Sequence, residues 1–130
     1  MNKKIFPISS KIPEKYKGCI LGFGHFSTIH IGHIRYLKQA KSYGEKLVIA
    51  LIGDRNSSKP KFQFNQEDRS NALLMLGIVD GILLLEDEEL DSAVDNIMPE
   101  ILVLGNEFQS SKKKSIINAL RIQEKNGNLI

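Results

Sequence analysis

Short apolar runs alternate with segments of helical spacing along most of the chain. Four runs have the length and the nearly continuous apolar character of parallel strands that are buried on both faces. They are CILGF (19–23), KLVIALIG (46–53), DGILLL (80–85) and ILVLG (101–105). A fifth run, NLI (128–130), has the character of the start of another strand. The alternation predicts right-handed crossovers, and hence a three-layer α/β sandwich with a parallel sheet of four or five strands.

The segments between these runs predict four helices. The first has apolar residues at helical spacing, at Ile34, Leu37, Ala40 and Tyr43, and is closed by Gly44. The others are predicted at 65–76 with Asn65 as the cap, at 88–96 before Pro99, and from Ser110 or Ser111 to about 126. Residues 1–17 are predicted to form an extended arm and 54–64 a loop, so that 18–130 form the domain.

Length, composition and charge limit the classes of function. The chain has 130 residues, 42% hydrophobic and 25% charged, which is typical of one globular domain with a substantial core. A net charge of +3 is weak evidence for a nucleic-acid partner, and none is predicted. Without an apolar stretch of about 18 residues or a signal-peptide pattern, a cytoplasmic protein with no membrane partner is expected. Cys19, the single cysteine, is predicted to be a buried thiol.

All three histidines fall within GHFSTIHIGH (24–33), directly after the first predicted strand. In parallel α/β sheets, ligands bind beyond the carboxyl ends of the strands, so this segment lies at a predicted ligand crevice. Gly22 and Gly24 are predicted to let the backbone turn sharply and approach a ligand closely. The side chain of His25 is predicted to be structural.

The pair His30 and His33 is predicted to bind phosphate. His33 is expected to begin a helix, whose unpaired N–H groups and partial positive charge favour anions. Imidazole N–H groups add donors that can follow charge as it develops on a phosphoryl group. Gly32, between the two, is predicted to leave room for a polyphosphate to pass between the rings. A metal site and solvated loop histidines without a role are the alternatives; no metal site is predicted.

Taken together, several segments resemble the cytidylyltransferase-like branch of the nucleotidyltransferase superfamily. That branch reads G-x-F-D-x-x-H-x-G-H, then a helix, a glycine with an acidic residue, an apolar strand and an Asp. The frame is matched at Gly24, Phe26, His30, Gly32, His33, Leu37, Ala40, Gly44, Glu45 and Asp54. EDRSNALLMLGIVDGILLL is similar to the family's arginine-led helix and V-D pair, at Arg69 and Val79-Asp80. MPEILVLGNEF resembles its P-D-x-x-V-x-G-x-D-Y segment, at Pro99, Glu100, Gly105, Glu107 and Phe108.

The resemblance implies a Rossmann-like fold and an enzyme that transfers a nucleoside monophosphate from CTP or ATP to a phosphorylated sugar or polyol, releasing pyrophosphate. It is strongest to the nucleotidyltransferase half of bifunctional sugar kinase–nucleotidyltransferases and to glycerol-phosphate cytidylyltransferase. Mg²⁺ is implied together with the nucleoside triphosphate. Dimers are common in the family, so a homodimer is one assembly that the resemblance allows.

The resemblance also assigns roles to residues. His30, His33 and Lys61 are implied as catalytic, with Lys59 one step away from the position of the family's loop lysine. Phosphate and nucleotide binding is implied for Gly22, Phe23, Gly24, His25, Phe26, Gly32, Arg69 and Gly105. A solvated loop charge for the lysines, and a helix-surface ion pair of Arg69 with Glu67 or Asp68, remain the alternatives.

Three departures from the family pattern leave a second function open. Ser27 and Glu107 stand where the family usually has Asp, and the family's late segment rich in Ser and Thr is absent from these residues. A nucleotide-binding or regulatory domain without turnover is therefore the alternative function. The end at NLI leads us to expect the leading domain of a longer chain. A fragment of a class I aminoacyl-tRNA synthetase, which shares H-I-G-H, fits the later segments less well.

Overall fold

The computed structural model describes residues 3–54, 64–105, 108, 113–126 and 128–129, with backbone alone after residue 123. The strands are β1 (Ile5–Pro7), β2 (Ile20–Gly24), β3 (Leu47–Leu51), β4 (Gly81–Leu84), β5 (Ile101–Leu102) and β6 (Asn128–Leu129). The α-helices are α1 (Ile31–Lys41), α2 (Gln66–Met75), α3 (Leu90–Ile97) and α4 (Lys114–Asn126), and a 3₁₀ turn spans Glu14–Tyr16.

In the described part of the chain, six parallel strands form one sheet in the order β1-β4-β3-β2-β5-β6. The predicted parallel α/β fold is confirmed, and each of the predicted strands lies in this sheet. One strand more than predicted comes from the segment interpreted as an arm, where Ile5 pairs with Ile82 and Phe6 with Leu83. Pro7 is tolerated in β1 because β1 is an edge strand.

Helices cover both faces of the sheet, which gives the predicted three layers. On one face α1 and α2 contribute Leu37, Ala40 and Leu73 to a core that also contains Ile49 of β3. On the other face, α3 and α4 contribute Leu90, Ala93, Val94, Ile97, Ile116 and Ala119. Because the central strands are buried on both faces, their sequences are continuous apolar runs without alternation.

Two local predictions are confirmed. Asn65 caps α2, since its side-chain oxygen accepts a hydrogen bond from the Asp68 backbone N–H at 2.8 Å. Cys19 is buried, with 3% of its surface exposed. Within the described ranges, none of the helices combines the length and the apolar character needed to cross a membrane.

The topology places one crevice between β2 and β5. From β2 the chain passes to β3 and then β4 on one side, and it returns to β5 on the other side of β2. The connection after β2 leads to β3 and the connection after β5 leads to β6, in opposite directions, so this is the switch point at which ligands bind in open α/β sheets. The loop 25–30 follows β2 at this point.

Candidate functional site

The turn after β2 is made at Phe26. This residue has a φ of 51°, in the left-handed region, and its ring is buried beside the rings of His33 and Tyr36 at centroid distances of 5.2 and 6.3 Å. Gly22 and Gly24 lie inside β2, so the sharp turn predicted at these glycines is wrong. Their missing side chains make room for other residues of the protein. A Cβ atom on Gly24 would lie 2.8 Å from the Phe26 ring.

The two histidines of the pair cap helix α1 together. His30 is the N-cap residue, and its Nδ1 accepts a hydrogen bond from the backbone N–H of Gly32 at 3.0 Å. The Nδ1 of His33 accepts one from the backbone N–H of His30 at 3.2 Å. The helix therefore begins at Ile31, and the prediction that His33 begins it is wrong. The physical reason is that imidazole nitrogens here take the place of the Ser or Thr oxygen and the Glu or Gln side chain of an ordinary capping box.

This cap determines which hydrogen-bond donors the site presents. The backbone N–H groups of Gly32, His33 and Ile34 are all bonded inside the first turn, so these three are not the unpaired donors that we predicted for phosphate. An Nδ1 that accepts a hydrogen bond carries no proton, and a neutral imidazole then carries its proton on Nε2. His30 and His33 each offer one donor, at Nε2, and their ring centroids are 4.0 Å apart.

The absence of a side chain at Gly32 makes room for the His30 ring. A Cβ atom at this position would lie 2.8 Å from Cε1 of His30, so glycine allows that ring to fold over the start of the helix. With their centroids 4.0 Å apart, the rings of His30 and His33 leave no gap for a phosphate chain. The predicted passage of a polyphosphate between them is therefore wrong. Phosphate would have to lie against the pair.

A small cavity lies against this pair. It measures about 230 Å³ and is lined by Gly24, His25, Phe26, Ser27, Thr28, His30 and His33. Small-molecule pockets usually measure about 300–1,000 Å³, so this cavity suits phosphate groups and not a whole nucleotide. The first turn of α1 contains no acidic residue, so the positive end of the helix dipole is not neutralised there. The arrangement favours an anion.

Ser27 lines the cavity, and the sequence had not identified it as a candidate site residue. Its Oγ atom is shielded from solvent and has no hydrogen-bond partner among the described residues. A buried hydroxyl usually has a partner, and those that lack one in a protein often lie at functional sites. In the sequence, Ser27 stood out only as a departure from the family's Asp.

The buried side chain of Arg69 holds the loop 25–30 in place through hydrogen bonds. Only 1% of this residue is exposed, and its Nη1 donates to the backbone oxygen of His25 at 2.7 Å. Its Nη2 pairs with Asp54 Oδ1 at 2.9 Å, and its Nε donates to the backbone oxygen of Phe64 at 3.1 Å. The alternative of a helix-surface ion pair is therefore wrong. Arg69 does not line the cavity, and its contacts give it a positioning role in place of the predicted phosphate contact.

The other predicted residues either do not line the cavity or lie outside the described residues. Phe23 has its ring in the core, edge-on to the ring of Phe108 with the centroids 4.8 Å apart, and it does not line the cavity. Gly105 follows β5, and its carbonyl accepts a hydrogen bond from the Phe108 N–H at 3.0 Å. Lys61, Lys59, Glu107 and the predicted cap at Ser110 or Ser111 lie outside the described residues. Among the residues that are described, no cluster of three or more His, Cys, Asp and Glu side chains could hold a metal ion.

Comparison with known protein families identifies a family model and relatives that match this chain. The model of the cytidylyltransferase-like family matches residues 21–127. Bifunctional protein HldE of Aliarcobacter butzleri is 31% identical over 111 residues, which are 82% of this chain and 23% of that protein. The chain thus spans about a quarter of the length of this relative.

Two further similarities come from one organism. The FAD synthase of Thermoplasma volcanium is 32% identical over 111 residues, which are 82% of this chain and 78% of that protein. The crystal structure of the lipopolysaccharide core biosynthesis protein from Thermoplasma volcanium GSS1 matches with a TM-score of 0.67 at 26% identity. The match covers 84% of this chain and 91% of that one.

Proposed function

Because the chain belongs to the cytidylyltransferase-like family, we propose that it transfers a nucleoside monophosphate from CTP or ATP to the phosphate of a small sugar or polyol, with release of pyrophosphate. The observation that carries this proposal is the pair of Nε2 donors on His30 and His33, set at the positive end of α1 and against a cavity of phosphate size.

In the proposed reaction, an oxygen of the acceptor phosphate attacks the α-phosphorus of the triphosphate. The bond from this phosphorus to the oxygen that bridges to the β-phosphate breaks, and pyrophosphate leaves with that electron pair. The attacking oxygen is already anionic, so no general base is needed. The Nε2–H groups of His30 and His33 would donate to the phosphate oxygens on which negative charge develops, which is where fixed donors lower the barrier.

Mg²⁺ enters this proposal as the counterion of the triphosphate. The Nδ1 atoms of His30 and His33 are occupied as hydrogen-bond acceptors in the cap, and their Nε2 atoms carry protons in the neutral rings. Neither imidazole is therefore set up as a metal ligand. The ion would be held by phosphate oxygens, which are the hard donors that it prefers.

A second candidate function is nucleotide binding without turnover. Ser27 favours it, because a neutral hydroxyl in the cavity wall replaces the family's carboxylate. The capped histidine pair favours catalysis, since a pair of Nε2 donors is suited to developing charge. The two functions differ in whether pyrophosphate appears.

The test is to incubate the protein with CTP or ATP, Mg²⁺ and a panel of sugar phosphates, polyol phosphates and a flavin phosphate, and to follow pyrophosphate release. The flavin phosphate is included because one relative is named FAD synthase. Pyrophosphate release that depends on one acceptor supports the transferase. Nucleotide binding without pyrophosphate release, for every combination of nucleotide and acceptor, selects the second function. An absence of both nucleotide binding and pyrophosphate release contradicts the two proposals.

A further inference from the structure

The pairing of β2 with β5 stops three residues before β2 ends. Ile20 pairs with Ile101 and Leu21 with Leu102, and the Val103 N–H donates to the Leu21 carbonyl at 2.9 Å. Strand β2 continues to Gly24, and on its other side it stays paired with β3 over its whole length. Something specific therefore separates β2 from β5 at the switch point.

The group between the two strands is the hydroxyl of Tyr36. In a regular parallel pair, the next hydrogen bond of this ladder would run from the Phe23 N–H to the Val103 carbonyl. Instead, the Phe23 N–H donates to Tyr36 Oη at 3.2 Å, and Oη donates to the Val103 oxygen at 2.6 Å. Both backbone groups remain satisfied while one oxygen atom holds them apart.

Gly22 makes this insertion possible. A Cβ atom at position 22 would lie 2.7 Å from Tyr36 Oη, which is closer than real Cβ contacts come. It would also lie 2.8 Å from Cδ1 of Ile49. Tyr36 itself is on α1, three residues after His33, so the same helix carries a phosphate-site histidine and the hydroxyl between the strands.

We propose that Tyr36 is a positioning residue for nucleotide binding in this crevice. Its hydroxyl keeps β2 and β5 apart at the carboxyl edge of the sheet and fixes the start of α1 to both strands. The crevice beside His30 and His33 thereby stays wide enough for the triphosphate. This inference rests on the proposed function, because it concerns the same crevice.

The test compares Tyr36→Phe with Tyr43→Phe. The second variant removes the same group from a residue that is 36% exposed just beyond the other end of α1. We expect Tyr36→Phe to stay folded and to weaken the binding of CTP or ATP about tenfold or more, because Phe23 and Val103 can then bond directly and narrow the crevice. Tyr43→Phe should bind nucleotide like the unchanged protein. A structural role alone would lower the melting temperature of Tyr36→Phe without changing nucleotide affinity, and that result would overturn the proposal.

Nuclear magnetic resonance can observe the closure itself, since the chain has a mass of 14.6 kDa. In Tyr36→Phe we expect a scalar coupling across a hydrogen bond between the Phe23 amide nitrogen and the Val103 carbonyl carbon. The unchanged protein should not show this coupling, because the hydroxyl lies between the two groups. If the coupling is already present in the unchanged protein, the hydroxyl does not separate the strands and the proposal is wrong.

Gly22→Ala provides an independent variant if Tyr36→Phe does not fold. The added methyl group displaces the hydroxyl, so nucleotide binding should weaken by a similar factor. In Gly22→Ala/Tyr36→Phe the two losses should not multiply, since both changes remove the same bridge. Losses that multiply fully contradict the proposal. If the unchanged protein binds nucleotide but releases no pyrophosphate, only the transferase proposal is contradicted, because the nucleotide affinities of the variants still decide the role of Tyr36. If the unchanged protein does not bind nucleotide, both proposals are contradicted.

Discussion

His33 accepts a hydrogen bond at Nδ1 from the backbone N–H of His30, at 3.2 Å, while His30 uses its own Nδ1 to accept from Gly32 at 3.0 Å. Each ring therefore has two roles on two nitrogen atoms. Nδ1 stabilises the start of α1, and Nε2 carries the proton that the proposed reaction uses. The two roles can be separated by substitution.

His30→Asn should keep the helix cap and lose the chemistry. Asparagine is among the most favourable N-cap residues, and its side-chain oxygen can replace Nδ1 as the acceptor for Gly32. The free energy of unfolding should stay within about 0.5 kcal/mol of that of the unchanged protein. Turnover should fall about 100-fold or more, the scale for a lost donor to a developing charge. Urea unfolding and pyrophosphate release measure the two quantities.

The matched control is His30→Ala, which removes both nitrogens. It should show the same loss of turnover and also lose about 1 kcal/mol of stability, the typical contribution of an N-cap side chain. From the sequence alone we would expect either histidine to be replaced with little effect on stability, and the capping box changes that expectation. If His30→Asn turns over at the rate of the unchanged protein, Nε2 of His30 has no catalytic role.

Arg69→Met should destabilise the protein strongly. The side chain is almost fully buried, and its loss leaves the carbonyl groups of His25 and Phe64 without this donor. Removing one partner from such a network costs about 3–5 kcal/mol. Asp54→Asn should cost less than about 1 kcal/mol, because the Asp54 side chain is 51% exposed and an amide oxygen can still accept from Arg69.

Unfolding of both variants in urea checks this difference. Nucleotide binding should be measured on the folded fraction of Arg69→Met at low temperature. A stable Arg69→Met variant that has lost nucleotide binding would return Arg69 to the phosphate-binding role that the family resemblance implied. A large loss of stability in Asp54→Asn would instead show that the ion pair, more than the backbone contacts, holds the loop.

Lys61→Ala should lower turnover about 100-fold, comparable with the loss of one histidine donor. The expectation comes from the family pattern, in which a lysine in the loop after the strand that corresponds to β3 contacts the phosphates. Lys59→Ala is the matched control, because it removes the same charge from the same loop and should leave turnover nearly unchanged. Steady-state pyrophosphate release measures both. Equal losses would mean that the loop contributes diffuse positive charge without one positioned ammonium group.

The sheet could be predicted because its central strands are buried on both faces. Burial of this kind leaves a continuous apolar run such as Leu47–Leu51, which is a strong signal in the sequence. Strand β1 gave no comparable signal. Of its three residues, Phe6 is buried while Pro7 is exposed, and a segment this short cannot show a period. Its place in the sheet depends on pairing with β4, more than seventy residues later in the chain.

The candidate site could be placed from the sequence, but its hydrogen bonds could not. The position of the histidines directly after a predicted strand indicated a crevice, whereas an imidazole is an unusual N-cap and no pattern predicted it. Arg69 reaches the carbonyl of a residue 44 positions away in the sequence, which helix periodicity does not show. Tyr36 lies beside Leu37 of the predicted apolar face, so only the structure shows that its hydroxyl enters the sheet.

The buried thiol predicts how stability depends on pH. Burial raises the pKa of Cys19 from 9.0 to about 12, so the folded protein keeps this proton over a range in which the unfolded chain loses it. The free energy of unfolding should therefore be unaffected by Cys19 below about pH 9 and should fall above it, by at most about 1.4 kcal/mol per pH unit. Burial also raises the pKa of Tyr16 above 10.0, so the range from pH 9 to 10 reports mainly on Cys19. Urea unfolding of the protein and of Cys19→Ala across that range measures the effect, and equal slopes for the two proteins would contradict it.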